Sequence, residues 1–172
     1  MSQNDPNKAT GAIRFDKAGI TYPNGVVGMK DLDLEITPGE FVVIVGSSGA
    51  GKSTLLRAVN GLNALTSGSV EIDGERVATH SNRELRRMRK RIGMIFQDFR
   101  LVKRLSVMSN VLIGRLAHVP GWRAMLNFWP AADREIAIDA LKRVGIADKA
   151  WVKASQLSGG QQQRVGIARA LA

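Results

Sequence analysis

The chain has 172 residues, 44% of them apolar and none of them cysteine, with 25 Lys and Arg against 15 Asp and Glu for a net charge of +10. That apolar share excludes a disordered chain, the length suits one domain or most of one, and no apolar run approaches the ~20 residues a membrane helix requires. The basic excess points to an anionic partner (nucleotide, nucleic acid or lipid headgroup) or to a stretch of a larger domain without its acidic part.

The opening MSQNDPNKATG is polar and lacks the apolar centre of a signal peptide, so residues 1–12 read as a frayed tail. With no cysteine and no membrane run, a cytoplasmic location is expected. Ile13 to Tyr22 alternates in part, with Ile13, Phe15, Ile20 and Tyr22 apolar or aromatic, and PNG turns the chain at Pro23 to Gly25. Leu32, Leu34 and Ile36 alternate with Asp33 and Glu35, predicting a half-buried strand. After the turn at Pro38-Gly39, FVVIV (Phe41 to Val45) is apolar throughout and predicts a strand buried on both faces. TLLRAVNGL predicts a helix that stops near Gly61, and SVEIDGERV a hairpin turning at Asp73-Gly74. Ser81 to Arg91 predicts a helix, and RIGMIFQ a return to strand. From Leu105 to Asp148 the pattern is mostly helical. Its clearest piece is DREIAIDALKRVG, with Ile136, Ala140, Leu141 and Val144 on one face and Gly145 as the stop. A last helix opens after LSGG. The whole predicts an α/β core, residues 13–97, followed by a helical subdomain, residues 98–172, joined near Gln97.

Between FVVIV and TLLRAVNGL lies Gly46-Ser47-Ser48-Gly49-Ala50-Gly51-Lys52-Ser53, which fits G-x-x-x-x-G-K-[ST]. Small residues let successive backbone N–H groups converge on phosphate oxygens, and the helix beginning near Lys52 adds its N-terminal partial charge. The Lys52 ammonium can reach the β- and γ-phosphates, and the Ser53 hydroxyl can ligate Mg²⁺. The alternative is a structural strand–turn–helix, in which a lysine facing a ring of N–H groups has no purpose.

Tyr22, the glycine loop, Gln97 and LSGGQQQRVGIARAL occur in that order, and together they resemble the ATP-binding subunit of an ATP-binding-cassette (ABC) transporter. The resemblance runs from Ile13 to Ala172, and the LSGGQ signature is its most specific part. It implies a P-loop NTPase core with an antiparallel β subdomain and an inserted helical subdomain, binding ATP and Mg²⁺. By this resemblance Gly46 to Ser53, with Thr54, hold the nucleotide; Lys52 and Gln97 serve catalysis; and Ser53 and Gln97 meet the metal. Tyr22 is the aromatic that stacks on adenine, and Gln97 also touches the attacking water and hinges the subdomain. Leu157, Ser158, Gly159, Gly160 and Gln161 act in trans. In a head-to-tail homodimer the Ser158 hydroxyl and the Gly159 and Gly160 N–H groups close on the γ-phosphate held by the other copy. The alternative for Ser158 is a plain helix cap. The same resemblance implies membrane permease subunits as partners, and indirectly a periplasmic or extracellular substrate-binding protein. It places the subunit peripherally on the cytoplasmic face of the cell membrane.

RLSVMSNVLIGRLAHVPGWRAMLNFWP, with ADREIAIDALKRVGIADKA, IRFDKAGITYPNG and STLLRAVNGL, is most similar to phosphonate importers within that family. Phosphate, methionine and lipoprotein transporters are the nearby alternatives. NRELRRMRKR holds six basic residues without interleaved aromatics and reads as a solvated helix face rather than a nucleic-acid surface. A nucleic-acid repair ATPase of the same superfamily would carry long insertions that are absent, so no nucleic-acid partner is expected. GWRAMLNFWP, with Trp122, Met125, Leu126, Phe128 and Trp129, is either a docking surface for the permease or the subdomain's own core.

By the same resemblance a strand ending in Asp-Glu and then a histidine should follow the signature. His80 and His118 precede the signature, and Asp98 stands in the wrong context. The 172 residues are therefore expected to bind nucleotide without sustaining hydrolysis, with a non-catalytic remnant as a third reading. FVVIV is expected to leave an open strand edge that favours aggregation.

Overall fold

The structure is a computed structural model that describes residues 11–77, 82–120, 122–123 and 128–172. It divides into two compact units, Met1–Met88 and Arg89–Ala172. The division falls in the last turn of a helix rather than near Gln97.

In the first unit, β1 (Ile13–Thr21), β2 (Val27–Ile36), β3 (Ser67–Ile72) and β4 (Glu75–Arg76) form one antiparallel sheet in the order β2-β1-β3-β4. Register follows the apolar pattern: Phe15 lies opposite Leu34 on one side and Val70 on the other. Phe15, Ala18, Ile20, Val70 and Ile72 are buried together with Ala58 and Val59 of α1 (Lys52–Val59). The register of β1 shifts after Phe15, where Lys17 takes φ 44. Gly68 sits opposite with φ 68, and a Cβ there would collide with the Asp16 and Lys17 carbonyls, so the bulge admits only glycine. The β3–β4 hairpin turns at Asp73 (φ 52) and Gly74 (φ 78), as the Asp-Gly pair predicts. The Asp73 carboxylate also accepts from the Gly11 and Ala12 N–H groups at 2.6 and 3.0 Å. Those two residues are thus tied to the hairpin rather than part of the tail; the remainder of that expected tail lies outside the described residues.

Two predicted strands do not form. Phe41 to Val45 belongs to no ladder, and Phe41, Val43 and Val45 are 90%, 67% and 87% exposed. Arg91 to Gln97 is likewise irregular, with Ile95 exposed. Both segments have the composition of strands buried on two faces, a state that exists only with neighbours on both edges. Among the described residues no strand pairs with either, and Phe41, Val43, Val45 and Ile95 are left exposed.

Helix α2 (Asn82–Arg89) ends two residues before the predicted Arg91, and Ser81, the predicted start, lies outside the described residues, as does His80. In the second unit α3 (Val107–Leu112) runs into a 3₁₀ turn, Ile113–Ala117. It packs with α4 (Ala131–Arg143) and α5 (Gly159–Leu171) around Val107, Val111, Leu141, Ile146, Leu157 and Val165. On α4 the buried face is Asp133, Ala137, Ala140 and Leu141; Ile136, expected on it, is exposed. Asp133 earns its buried place through Arg115, whose Nε donates to Oδ1 at 2.7 Å. Gly145, with φ 67, ends the helix as expected. Trp129 is buried in this core, whereas Trp122 and Phe128 are exposed, so the aromatic segment divides between the two readings. Met125 and Leu126 lie outside the described residues.

Asn110 is fully buried in α3. Its Oδ1 accepts from Val102 N at 2.7 Å, and its Nδ2 donates to the Val102 and Ser106 carbonyls at 3.1 and 2.9 Å. These bonds tie the backbone at Val102 to the first turn of α3, where the Val102 and Ser106 carbonyls also accept from Leu105 N and Asn110 N, both at 3.0 Å. Asn110→Ala is expected to lower unfolding free energy by about 1–3 kcal/mol, since a fully buried amide is removed and the Val102 N–H loses its acceptor. Chemical denaturation checks this; an unchanged midpoint would contradict it.

Candidate nucleotide-binding site

The glycine loop closes as a turn even though the strand before it does not form. Ala50 N donates to the Ser47 carbonyl at 3.2 Å, closing a turn, and Leu55 N donates to the Gly51 carbonyl at 2.9 Å, opening α1. Gly49 and Gly51 have φ of 85 and 84, which only glycine adopts without strain. Gly51 is also the helix cap, and a Cβ on it would collide with the Gly28 carbonyl of β2. No side chain caps α1, and its first turn carries no acidic residue. The N-terminal N–H groups of that turn therefore keep their positive field for an outside anion. The Lys52 Nζ donates to the Gly46 and Ser47 carbonyls at 2.7 and 2.6 Å, so the ammonium lies over the loop. Gly46, Ser47, Ser48, Gly49, Ala50 and Ser53 are all exposed.

Tyr22 leaves β1 into a tight turn: its N–H donates to Val26 O and its carbonyl accepts from Gly25 N, both at 2.8 Å. Its ring edge lies by Gly28 of β2 and its tip reaches α1. The hydroxyl lies 3.0 Å from Thr54 Oγ1 and accepts from Asn63 Nδ2 at 3.1 Å. Thr54 is buried, so its hydroxyl faces Tyr22. Tyr22 and Gly46 to Thr54 thus come together in one unit. Gly28 and Asn63 join them, and sequence reasoning did not single out either one. A glycine inside a strand is a known sign of close approach, and Gly28 carried it. Asn63 carried no such sign.

Gln97 and the signature lie in the other unit. Gln97 is exposed and opens the turn that runs through Phe99 (φ 53) and Arg100 (φ 42). Arg169 of α5 holds this turn, donating to the Phe99 and Arg100 carbonyls at 2.6 and 2.8 Å. Burial pulls the Arg169 guanidinium below its ordinary pKa. The Gln97 turn and the signature helix are therefore joined by a residue that the sequence reading passed over.

The last helix begins at Gly159, two residues earlier than expected, with Ser158 as its cap. Ser158 Oγ accepts from Gln161 N at 3.4 Å, and Gln161 Oε1 accepts from Ser158 N at 3.0 Å, a reciprocal capping box. The cap reading of Ser158 is thus realised in this structure. It leaves the glycines unexplained, because a Cβ at Gly159 or Gly160 would meet nothing within 4 Å. Glycine in a helical turn costs about 0.5–1 kcal/mol relative to alanine, and nothing inside this unit requires it at either position. Leu157 is buried and anchors the segment; Ser158, Gly159 and Gly160 are exposed.

The ABC transporter family model matches residues 29–172. The chain is 54% identical to phosphonates import ATP-binding protein PhnC 3 of Halalkalibacterium halodurans, over 92% of this chain and 62% of that protein. It is 57% identical to the PhnC of Shouchella clausii, over 93% of this chain and 60% of that protein. The chain thus spans less than two thirds of the length of these relatives. Among solved structures it is similar to the dimeric bacterial ABC transporter cassette MJ0796, with TM-score 0.77 and 35% identity over 93% of this chain and 69% of that one. It is also similar to cbiO1 of Clostridium perfringens, part of the ABC transporter complex cbiONQ, with TM-score 0.75 and 29% identity over 94% and 61%. The MJ0796 cassette is also solved in a post-hydrolysis state bound to ADP and Pi.

Proposed function

The chain belongs to the ABC transporter family, and on that premise we propose that it is ATP-binding machinery of a phosphonate importer, coupling ATP binding and hydrolysis to uptake. The observation that carries the reading is the exposed Gly46–Ser53 loop, wrapped around the Lys52 ammonium and opening an uncapped helix. Such a loop suits an anion of triphosphate size, to which it would bring a cation and the backbone N–H groups of a glycine-rich turn. The phosphonate assignment rests on relatives named for phosphonate import at 53% to 57% identity. None of the first relatives is a phosphate, methionine or lipoprotein transporter.

In this mechanism Lys52 leaves the Gly46 and Ser47 carbonyls for the β- and γ-phosphates. The loop's N–H groups take the remaining oxygens, and Tyr22 supports the base. The exposed Ser53 hydroxyl at the first turn of α1 is a hard oxygen donor fitting Mg²⁺, and Gln97 is a neutral amide able to share that ion and orient the attacking water. Mg²⁺ there would neutralise charge developing on the phosphates. A second copy contributes Ser158, Gly159 and Gly160 to the γ-phosphate. The bare glycines support this, since an approach from outside is what removes the need for a side chain.

The permease is proposed to dock at Trp122 and Phe128, which are 57% and 61% exposed. Such aromatic area outside a core is the usual material of an interface. No described helix is long and apolar enough to cross a membrane, and the proposed site of action is the cytoplasmic membrane face. Cysteines substituted at Trp122 and Phe128 should cross-link to the permease in membranes expressing both. Equal capture from cysteines at Lys30 and Asp31 on β2 would contradict the assignment.

A further inference from the structure

We propose that Asn63, acting through the Tyr22 hydroxyl, is a positioning residue that fixes the Tyr22 ring as a ready-made platform for the nucleobase. The inference rests on the reading that Tyr22 stacks on the base. It goes beyond that reading by identifying what holds the ring.

The ring is held from three directions. Its backbone is pinned on both sides by the turn to Gly25 and Val26. Its edge lies against β2 at Gly28, where a Cβ would stand 2.7 Å from Tyr22 Cε2 and 3.0 Å from Thr54 Cγ2. Its hydroxyl is bonded to Thr54 at the start of α1 and to Asn63 just beyond the helix end. Asn63 is itself fixed, because its N–H donates to the Arg57 carbonyl at 3.3 Å. Swinging the ring about the Cα–Cβ bond breaks the bonds at its tip, and the bare Gly28 is what lets its edge lie where it does.

The direction of the bonds adds a link. The Asn63 amide has only donors at Nδ2, so the phenol oxygen accepts there. Toward Thr54 Oγ1 either hydroxyl can be the donor, so the phenol bonds both partners at once. Thr54 follows Ser53 in the first turn of α1, so the base platform and the phosphate loop share one side chain. A platform ordered before binding loses little freedom when the base arrives, and this favours affinity for whatever stacks on it. It should do nothing for a ligand without a base.

That difference supplies the test. ATP and inorganic tripolyphosphate, each with Mg²⁺, are titrated by competition against a fluorescent ATP analogue, using the 172-residue chain at sub-micromolar concentration. Asn63→Leu and Tyr22→Phe each remove bonds at the ring tip while keeping the ring. Both are expected to weaken ATP binding roughly three- to tenfold and to leave tripolyphosphate within about twofold. Tyr22→Ala, which removes the ring, should weaken ATP at least as much and again spare tripolyphosphate. A loss of ATP affinity in Tyr22→Ala alone would overturn the positioning role while leaving the stacking reading intact. An unchanged ATP affinity in Tyr22→Ala would overturn both. Parallel losses for ATP and tripolyphosphate in Asn63→Leu and Tyr22→Phe would assign Asn63 to the integrity of the loop and overturn the proposal.

Discussion

Lys52→Ala is expected to weaken ATP·Mg²⁺ binding by about ten- to hundredfold. A hydrogen bond to a charged group is worth about 1.5–3 kcal/mol net, and each 1.4 kcal/mol is a factor of ten. Two effects act in the same direction. The substitution deletes the ammonium that meets the phosphates, and it deletes the bonds from Nζ to the Gly46 and Ser47 carbonyls that hold the loop closed. Lys52→Met keeps the aliphatic stem and loses the charge, so it separates packing from electrostatics; it should behave like alanine. Because α1 packs through Thr54, Ala58 and Val59, and not through Lys52, thermal stability should change little. A variant that binds ATP as tightly as the parent would remove Lys52 from the phosphate site.

Ser158→Arg is expected to abolish ATP-dependent pairing of copies while sparing nucleotide binding at the glycine loop. The side chain added at this position projects from an exposed cap beside two bare glycines, where the partner's phosphate is proposed to arrive. Because Ser158 also caps α5, the substitution costs about 1 kcal/mol of helix stability on its own account. Ser158→Ala controls for that: it removes the cap without adding bulk, and it should weaken pairing less than arginine does. Light scattering of the chain, or of any longer subunit that carries it, with ATP trapped unhydrolysed reads the dimer fraction. Equal fractions for Ser158→Arg and the parent would refute the trans role.

What the sequence made legible follows from where the determinants lie. The glycine loop, the Asp73-Gly74 hairpin and the Gly145 stop were readable because each depends on a backbone conformation that few residues adopt. The second half of β2 was readable because Leu32, Leu34 and Ile36 are half-buried and alternate with exposed Asp33 and Glu35, whereas the bulge in β1 buries Ala18, Gly19 and Ile20 in succession and leaves only a partial alternation. Phe41 to Val45 misled for the opposite reason. Its uniform apolarity specifies burial between neighbours, and burial is a property of those neighbours as much as of the segment. Ile136 misled because α4 turns a stripe of small residues and Asp133 inward, and the pairing of Asp133 with Arg115 cannot be seen in periodicity. At the candidate site, the loop and the signature announced themselves as contiguous motifs. Gly28, Asn63 and Arg169 did not, since each acts on residues distant in sequence: Asn63 on Tyr22, Gly28 on Tyr22 and Gly51, Arg169 on the turn after Gln97.

The central claim is that the Gly46–Ser53 loop holds a nucleotide triphosphate through Lys52. Isothermal titration of the folded chain with ATP and Mg²⁺, repeated with Lys52→Ala, addresses it directly. The account predicts a saturable heat in the parent that ADP suppresses by competition, and little or no heat in the variant. A folded parent that gives no heat and no competition by ADP, or a variant that gives the same isotherm as the parent, would contradict it.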